Sequence, residues 1–292
     1  KEISRKKNIY YHYLCSITGK CKIVILIVLF SFLQGLTEFL PISSQGHLIF
    51  FNYIFDISFL SSLSILEANI IAHFGSLLAI LIYYFSTVKN ILLSTRNILR
   101  PDIEKHVSLL IFLVISTIPI IILGYLFGKY FDYNHKIMVL IIGINSIVFG
   151  LILFILDKYC LLVKNFDSMN VQSSLFIGLI QCFALIPGVS RSGAVLTAMR
   201  ANGYNRNFSV FYSNMLSIPV LIGAMTFLFL NGNTPFYIEN LINIAAVSIF
   251  FLSFIFSILF IHFLVFWVRK SSLLIFVIYR IIFGTGLIIF YH

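Results

Sequence analysis

The chain has 292 residues, 60% of them hydrophobic and only 10% charged, with a mean hydropathy of +1.03. A soluble domain carries about a quarter charged residues, so this much apolar sequence excludes a single water-soluble core. The formal charge of +10 sits mostly in short loops between apolar runs, where it reads as topology signal and contact with anionic lipid, with no nucleic-acid partner expected.

Residues 1–22 form a basic, polar tail. A signal peptide would need a basic region, a short apolar run and a small-residue cleavage site. Here the apolar run leads straight into Gln34-Gly-Leu-Thr-Glu38, so the tail is read as retained. From residue 23 to 292 the chain reads as one polytopic membrane domain. Cys15, Cys21, Cys160 and Cys182 have no metal-ligand spacing and support no disulfide.

Six segments reach the roughly 20 apolar residues that a spanning helix needs. They are 69–87, 107–128, 137–156, 208–230, 242–268 and 273–291. The short alternating segments of a transmembrane barrel are absent. Two further apolar regions are interrupted, 23–57 by "PISSQGH" and 172–202 by "PGVSRSG". Each is too long for one span and too short for two. Backbone that leaves helical geometry at membrane depth must be shielded by protein or line a wet cavity. The economical reading is two re-entrant helix hairpins, each entering and leaving by one face. The competing reading makes Ile23–Leu40 an ordinary span.

The two interruptions resemble each other. Aligning Ser43 with Ser190 sets Ser44 against Arg191, Gln45 against Ser192 and Gly46 against Gly193. Each hairpin is followed by three spans, so the second unit (about 172–292) must lie upside down relative to the first (about 23–156). Inverted repeats of this kind place a binding site where the broken helices meet. The expected fold is therefore all-α and integral to the membrane, with six transmembrane helices plus two re-entrant hairpins in an inverted repeat. Pro119 and Pro219 do not match between the units.

Loops 88–106, 157–171, 200–207 and 269–272 share one side and hold most of the basic residues, which places them in the cytoplasm. The basic tail then falls on the opposite side, against the same rule.

Ionisable residues inside a membrane are costly and default to functional hypotheses. Here they are Glu38, His47, Glu67, His73, Arg191, His262 and Arg280. Glu38 and His47 flank the first break and Arg191 sits in the second. If the hairpins meet, one site gains a carboxylate, an imidazole, a guanidinium and the hydroxyls of Ser43, Ser44, Ser190 and Ser192. That set suits a phosphate. Arg191 offers a planar fork of donors. Gly46, Gly188 and Gly193 let backbone N–H groups approach an anion. A serine hydroxyl with a nearby histidine is a nucleophile–base pair, and a carboxylate can hold a divalent cation against phosphate oxygens. The set reads as phosphoryl-transfer equipment for a phosphorylated lipid. Single serines in apolar helices often only bond the preceding turn. His262 reads as a packed or interfacial histidine, His73 and Glu67 as lining the site or as a structural pair. Arg280 reads as snorkelling or touching lipid phosphate.

At these residues the chain resembles the undecaprenyl-diphosphatases, also called bacitracin-resistance proteins. The family pattern has two parts. Glu/Gln-Gly-x-x-Glu with Phe-Leu-Pro-x-Ser-Ser-x-Gly-His is matched by Gln34 to His47, and Pro-Gly-x-Ser-Arg-Ser-Gly by Pro187 to Gly193. "LEANIIAHFGSLLAIL" and "IYRIIFG" extend the likeness toward the C-terminus. The resemblance implies removal of one phosphate from undecaprenyl diphosphate, returning the monophosphate carrier to cell-wall synthesis. It also implies a divalent cation, magnesium or calcium, held by Glu38 and, more weakly, Gln34. The setting implied is the bacterial plasma (inner) membrane, with the site open to the outer face. The partners expected are the lipid substrate, the bilayer and, for a homodimer, a second copy of the chain.

Carried over residue by residue, Ser44 would be the nucleophile, His47 the acid/base, Glu38 the essential carboxylate and Arg191 the diphosphate clamp. Ser43, Gly46, Gly188, Ser190, Ser192, Gly193 and Glu67 would contact substrate. The chain departs from the pattern at Gln34, which the pattern permits but which loses a metal ligand. It departs also at Gln45 and Val195, where the family has Thr. Thr197, about 200° round a helix from Val195, cannot simply substitute. Two other classes compete. Acid-phosphatase-like lipid phosphatases need a Lys-x6-Arg-Pro motif and a second catalytic His, which are missing. A transporter or flippase would use the same inverted-repeat site but needs no nucleophile.

Overall fold

The computed structural model describes residues 22–55, 63–97, 105–127, 135–161, 163–231 and 243–291. Residues 1–21 of the basic tail lie outside them. Among the described residues the regular structure is helical, with one isolated bridge between Lys164 and Tyr204. In chain order the helices are α1 (Lys22–Phe39), α2 (Ser44–Ile54), α3 (Ile65–Tyr83), α4 (Phe85–Ser94) and α5 (Lys105–Phe127). They continue with α6 (His135–Tyr159), α7 (Val171–Gln181), α8 (Arg191–Ala201), α9 (Arg206–Asn231), α10 (Ile244–Val268) and α11 (Leu274–Tyr291). A 3₁₀ turn over Cys182–Leu185 prolongs α7.

Seven of these helices are long and apolar enough to cross a membrane. Six coincide within a few residues with the segments read from the sequence. The seventh is α1, Lys22–Phe39, the first arm of the expected first hairpin, whose 18 residues are continuous helix. At 1.5 Å per residue it is about 27 Å long, close to the hydrocarbon thickness of about 30 Å. The arms at the second break stay short: an apolar Val171–Leu185 and an 11-residue α8.

α1 stops before Pro41, which lacks an N–H and pushes Leu40 out of the helical region. α2 starts at once on the cap of Ser43 and folds back along α1, so that Phe30 and Phe51 meet with ring centroids 5.9 Å apart. Leu26, Ile27, Leu48, Ala68, Ala72 and Ile249 share that cluster, which joins α1 and α2 to α3 and α10. The second break is closed at its outer end by backbone bonds: Lys164 N–H donates to Gly203 O (3.0 Å) and Asn205 N–H to Lys164 O (2.9 Å). The entry of α7 and the exit of α8 are therefore neighbours.

Bilayer lipid gives helices no hydrophobic reason to associate, so close backbone approach must hold them together. α6 and α11 cross at Gly143 and Gly284. A Cβ at Gly143 would lie 2.9 Å from the Gly284 carbonyl oxygen, and one at Gly284 only 2.5 Å from that of Gly143. This reciprocal contact sits behind both breaks. At one end of the bundle Asp157, on α6, gathers three other segments. Its Oδ1 accepts from Arg200 Nε (3.0 Å) and Arg206 Nε (2.8 Å), and its Oδ2 from Leu273 N–H (3.1 Å). Arg200 is thus fully buried and is a structural ion rather than a solvated loop charge. Asp157→Ala takes the carboxylate from that guanidinium and leaves it only backbone carbonyls, a change that costs about 3–5 kcal/mol for a buried pair. The expected outcome is a clearly lowered thermal unfolding midpoint in detergent, and an unchanged midpoint would show that the clasp is dispensable.

Candidate active site

Two serines govern both breaks. Ser43 (φ 74°) and Ser190 (φ 64°) are the non-glycine residues with positive φ among the described residues. Each caps the helix that follows: Ser43 Oγ accepts from Gly46 N–H (3.3 Å) and Ser190 Oγ from Gly193 N–H (3.2 Å). The alignment of Ser43 with Ser190 and of Gly46 with Gly193 is thereby a geometric equivalence. Left-handed backbone at a β-substituted residue costs about 1–3 kcal/mol and clusters at functional sites. Gly188 also has positive φ (92°), and its backbone lies against Ile142 of α6.

The two breaks are joined by charge. Arg191, first residue of α8, donates from Nη2 to Glu38 Oε1 at 2.9 Å, with the two side chains only 13% and 4% exposed. Its Nη1 donates to Ser213 O on α9 (3.3 Å), and Ser192 Oγ donates to Leu40 O (2.8 Å). Glu38 Oε2 accepts from Gln34 Nε2 (3.1 Å) and lies 3.4 Å from His73 Nδ1 on α3. Gln34 Nε2 also lies 2.9 Å from His73 Nδ1 and 3.3 Å from Ser76 Oγ.

The donor set suits a hard cation. Gln34 Oε1 is buried without a hydrogen-bond partner, one turn from the Glu38 carboxylate. Turning the amide over would bring two acceptor oxygens together, an arrangement that calls for a cation or a hydrogen-bond donor between them. Among the described residues no three His, Cys, Asp or Glu side chains cluster as a metal site, so any cation here would rest on Glu38, the Gln34 amide oxygen and oxygens from substrate or water.

His47 is held elsewhere. Its Nδ1 faces Ser43 O at 2.7 Å and its Nε2 faces the Tyr279 hydroxyl at 2.7 Å. The ring stacks on Phe283 with centroids 3.9 Å apart and planes 9° apart. Ser44 opens α2 half-buried. With both ring nitrogens engaged in this way, His47 bonds to Tyr279 and not to Ser44, the nucleophile that the family resemblance implies. The hydroxyls of Ser43 and Ser190 are in use as caps. Glu67, expected at the substrate, closes a capping box: its Oε2 accepts from Ser64 N–H (2.7 Å) and Ser64 Oγ–H (2.9 Å). His262 pairs with Tyr83 at an exposed position (3.3 Å), in keeping with an interfacial histidine.

Three residues of this centre were not legible as such. His73 was an open candidate and touches Glu38. Tyr279 lies within "IYRIIFG", which marked a family likeness in the last span but gave the tyrosine no role. Arg280 has no exposure at all and does not snorkel. Its Nη2 donates to Gly188 O (3.1 Å), Val189 O (3.2 Å) and Asn145 O (3.3 Å), its Nε to Ser146 O (3.1 Å), and its Nη1, at longer range, to Pro41 O (3.4 Å). Asn145 Nδ2 adds a bond to Pro187 O (2.9 Å). One side chain thus serves the carbonyls of both breaks. An intramembrane charge with no apparent carboxylate partner was the available signal.

The fold and the site define an all-helical, multi-pass membrane protein with a buried ionic centre where two broken helices meet. The sequence profile described as bacitracin resistance protein BacA matches residues 27–286, and the chain belongs to that family. It is 36% identical over 271 residues to an undecaprenyl-diphosphatase of Pelagibacter ubique, covering 91% of this chain and 97% of that one. It is 34% identical over 259 residues to the undecaprenyl-diphosphatase of Caldicellulosiruptor bescii (89% and 94%) and 32% over 263 residues to that of Desulforudis audaxviator (90% and 95%).

Arg280→Met keeps the bulk but removes the donors, leaving carbonyls at membrane depth unpaired at about 1–3 kcal/mol each. The expected outcome is a lower unfolding midpoint than for Arg280→Lys, which retains one donor group. Equal midpoints for both variants and the parent would refute the clamp.

Proposed function

We propose that the protein is an undecaprenyl-diphosphatase of the bacterial inner membrane. It hydrolyses undecaprenyl diphosphate to the monophosphate and inorganic phosphate, recycling a lipid carrier for cell-wall polymer synthesis. The observation that carries the reading is the Glu38–Arg191 pair, which brings a carboxylate from one broken helix and a guanidinium from the other within 2.9 Å. A pair so poised can separate onto two partners, with the guanidinium clamping phosphate oxygens and the carboxylate facing a cation. The family membership and the names of the relatives supply the substrate class.

In this reading Arg191 clamps the diphosphate. The N-terminal turns of α2 and α8, with Gly46, Gly188 and Gly193 and the serines Ser43, Ser190 and Ser192, surround its oxygens. Ser44 is the nucleophile or orients the attacking water, and His47 takes its proton. Glu38 and the Gln34 amide oxygen would hold magnesium or calcium, which supplies charge neutralisation of the phosphoryl oxygens.

The finer topology belongs to the same proposal: six spans with two re-entrant hairpins in an inverted repeat. The adjacent ends of α7 and α8, the return of α2 along α1 and the matched serine caps support it. The site then opens to the outer face, with the basic loops in the cytoplasm.

The test is phosphate release from undecaprenyl diphosphate in detergent, with magnesium or with EDTA, by the parent protein, Ser44→Ala and Gln34→Leu. Release should require the metal. It should fall about 10²-fold or more in Ser44→Ala, in the range of lost acid–base or nucleophilic catalysis. Gln34→Leu should need more magnesium for half-maximal rate. A folded protein that binds the lipid yet releases no phosphate would instead be a carrier.

A further inference from the structure

Tyr279 lies on α11, outside both breaks and their motifs, yet it holds the reactive nitrogen of His47. The ring tautomer follows from the acceptors. A backbone carbonyl only accepts, so His47 Nδ1, 2.7 Å from Ser43 O, carries the ring proton and donates it. Nε2 is then the bare nitrogen, and the Tyr279 hydroxyl 2.7 Å away donates to it. The geometry is rigid, because Phe283 stacks on His47 and the Tyr279 ring runs nearly parallel to both, at 16° and 7°. His47 is 4% exposed while Tyr279 is 38% exposed. Of the pair, Tyr279 is the more exposed member and His47 the buried one.

We propose that Tyr279 is a proton relay between the attacking hydroxyl and His47, resting on the reading of His47 as the base. As the attacking oxygen bonds to phosphorus, its proton passes to Tyr279 Oη, and the proton already on Oη passes to His47 Nε2. The bond from phosphorus to the bridging oxygen breaks, and the lipid monophosphate leaves with that electron pair, while the terminal phosphoryl stays on the attacking oxygen. It departs as inorganic phosphate where that oxygen is water's. Where that oxygen is Ser44 Oγ, a water displaces the phosphoryl in a second step, giving its proton by the same route and returning the serine hydroxyl. His47 becomes an imidazolium, its Nδ1–H still on Ser43 O. Its Nε2 proton returns through the same two bonds to solvent before the next turnover. A tyrosine hydroxyl suits this role because it donates and accepts at one atom. Its neighbour Arg280 fixes α11 to both breaks, so the relay does not drift from the ring.

Tyr279→Phe removes one hydroxyl and keeps the stacked ring. Phosphate release over a range of undecaprenyl diphosphate concentrations would be compared for the parent, Tyr279→Phe, His47→Gln and the double variant, with unfolding midpoints for each. The relay requires kcat to fall about 10²-fold in Tyr279→Phe with KM and midpoint unchanged. The double variant should then be no slower than His47→Gln, as expected of groups acting as a unit. The solvent deuterium effect on kcat should shrink in Tyr279→Phe, since one of two transferred protons is lost. A Tyr279→Phe protein as fast as the parent or faster, with His47→Gln inactive, overturns the relay and leaves the tyrosine a displaceable cap. An active His47→Gln overturns the base assignment itself.

Discussion

A guanidinium buried among backbone carbonyls, with no carboxylate paired to it among the described residues, is the constraint on which the rest of this centre depends. Two helices are broken where lipid offers no water, and each break frees carbonyl oxygens that must be satisfied within the protein. Arg280 reaches Pro41 from one break and Gly188 and Val189 from the other, and is itself anchored on Asn145 and Ser146 of α6. The reciprocal contact of Gly143 with Gly284 lets α6 and α11 approach closely enough for that reach. Without this packing and this charge, neither break could be held in its left-handed serine geometry.

Once the breaks are fixed, the chemistry follows from what each presents. The first offers a carboxylate at the end of α1, the second a guanidinium at the start of α8. Neither charge is tolerable alone in a low-dielectric interior, and their mutual pairing offsets the desolvation of both. In the proposed function the same pairing would make the centre responsive: an anion that took Arg191 would free Glu38, and a cation that took Glu38 would free Arg191. Gln34, with its amide hydrogens on Glu38 and an unpartnered oxygen behind, stands where such an exchange would be felt first. His47 sits apart on α2, tuned by Tyr279 and Phe283 of α11. The imidazole and the charge pair are thus built on different helices.

Much of this was legible in particular residues. The apolar runs marked six spans because burying a backbone in lipid requires long apolar helices. Pro41 and Pro187 marked the breaks, and the Ser43–Ser190 and Gly46–Gly193 correspondences survived into matched caps. Glu38 and Arg191 were recognisable because a charge in an apolar run demands a partner. Lys22–Phe39 was harder to assign. Its 18 residues lie at the boundary between a short span and a hairpin arm, and periodicity is silent on that choice.

Sequence by itself determined the all-helical membrane class, the two breaks and the charged residues at them, because these depend on local hydropathy and on backbone preferences within a few residues. Tertiary structure alone decided how those residues are used. It gave Glu67 to a helix cap, buried Arg200 on Asp157, set Arg280 between the breaks and placed Tyr279, 232 positions along the chain, on the imidazole of His47. Those pairings depend on which helix faces meet, and helix–helix contact across a membrane is set by close packing of distant segments, of which no single stretch of sequence holds a record.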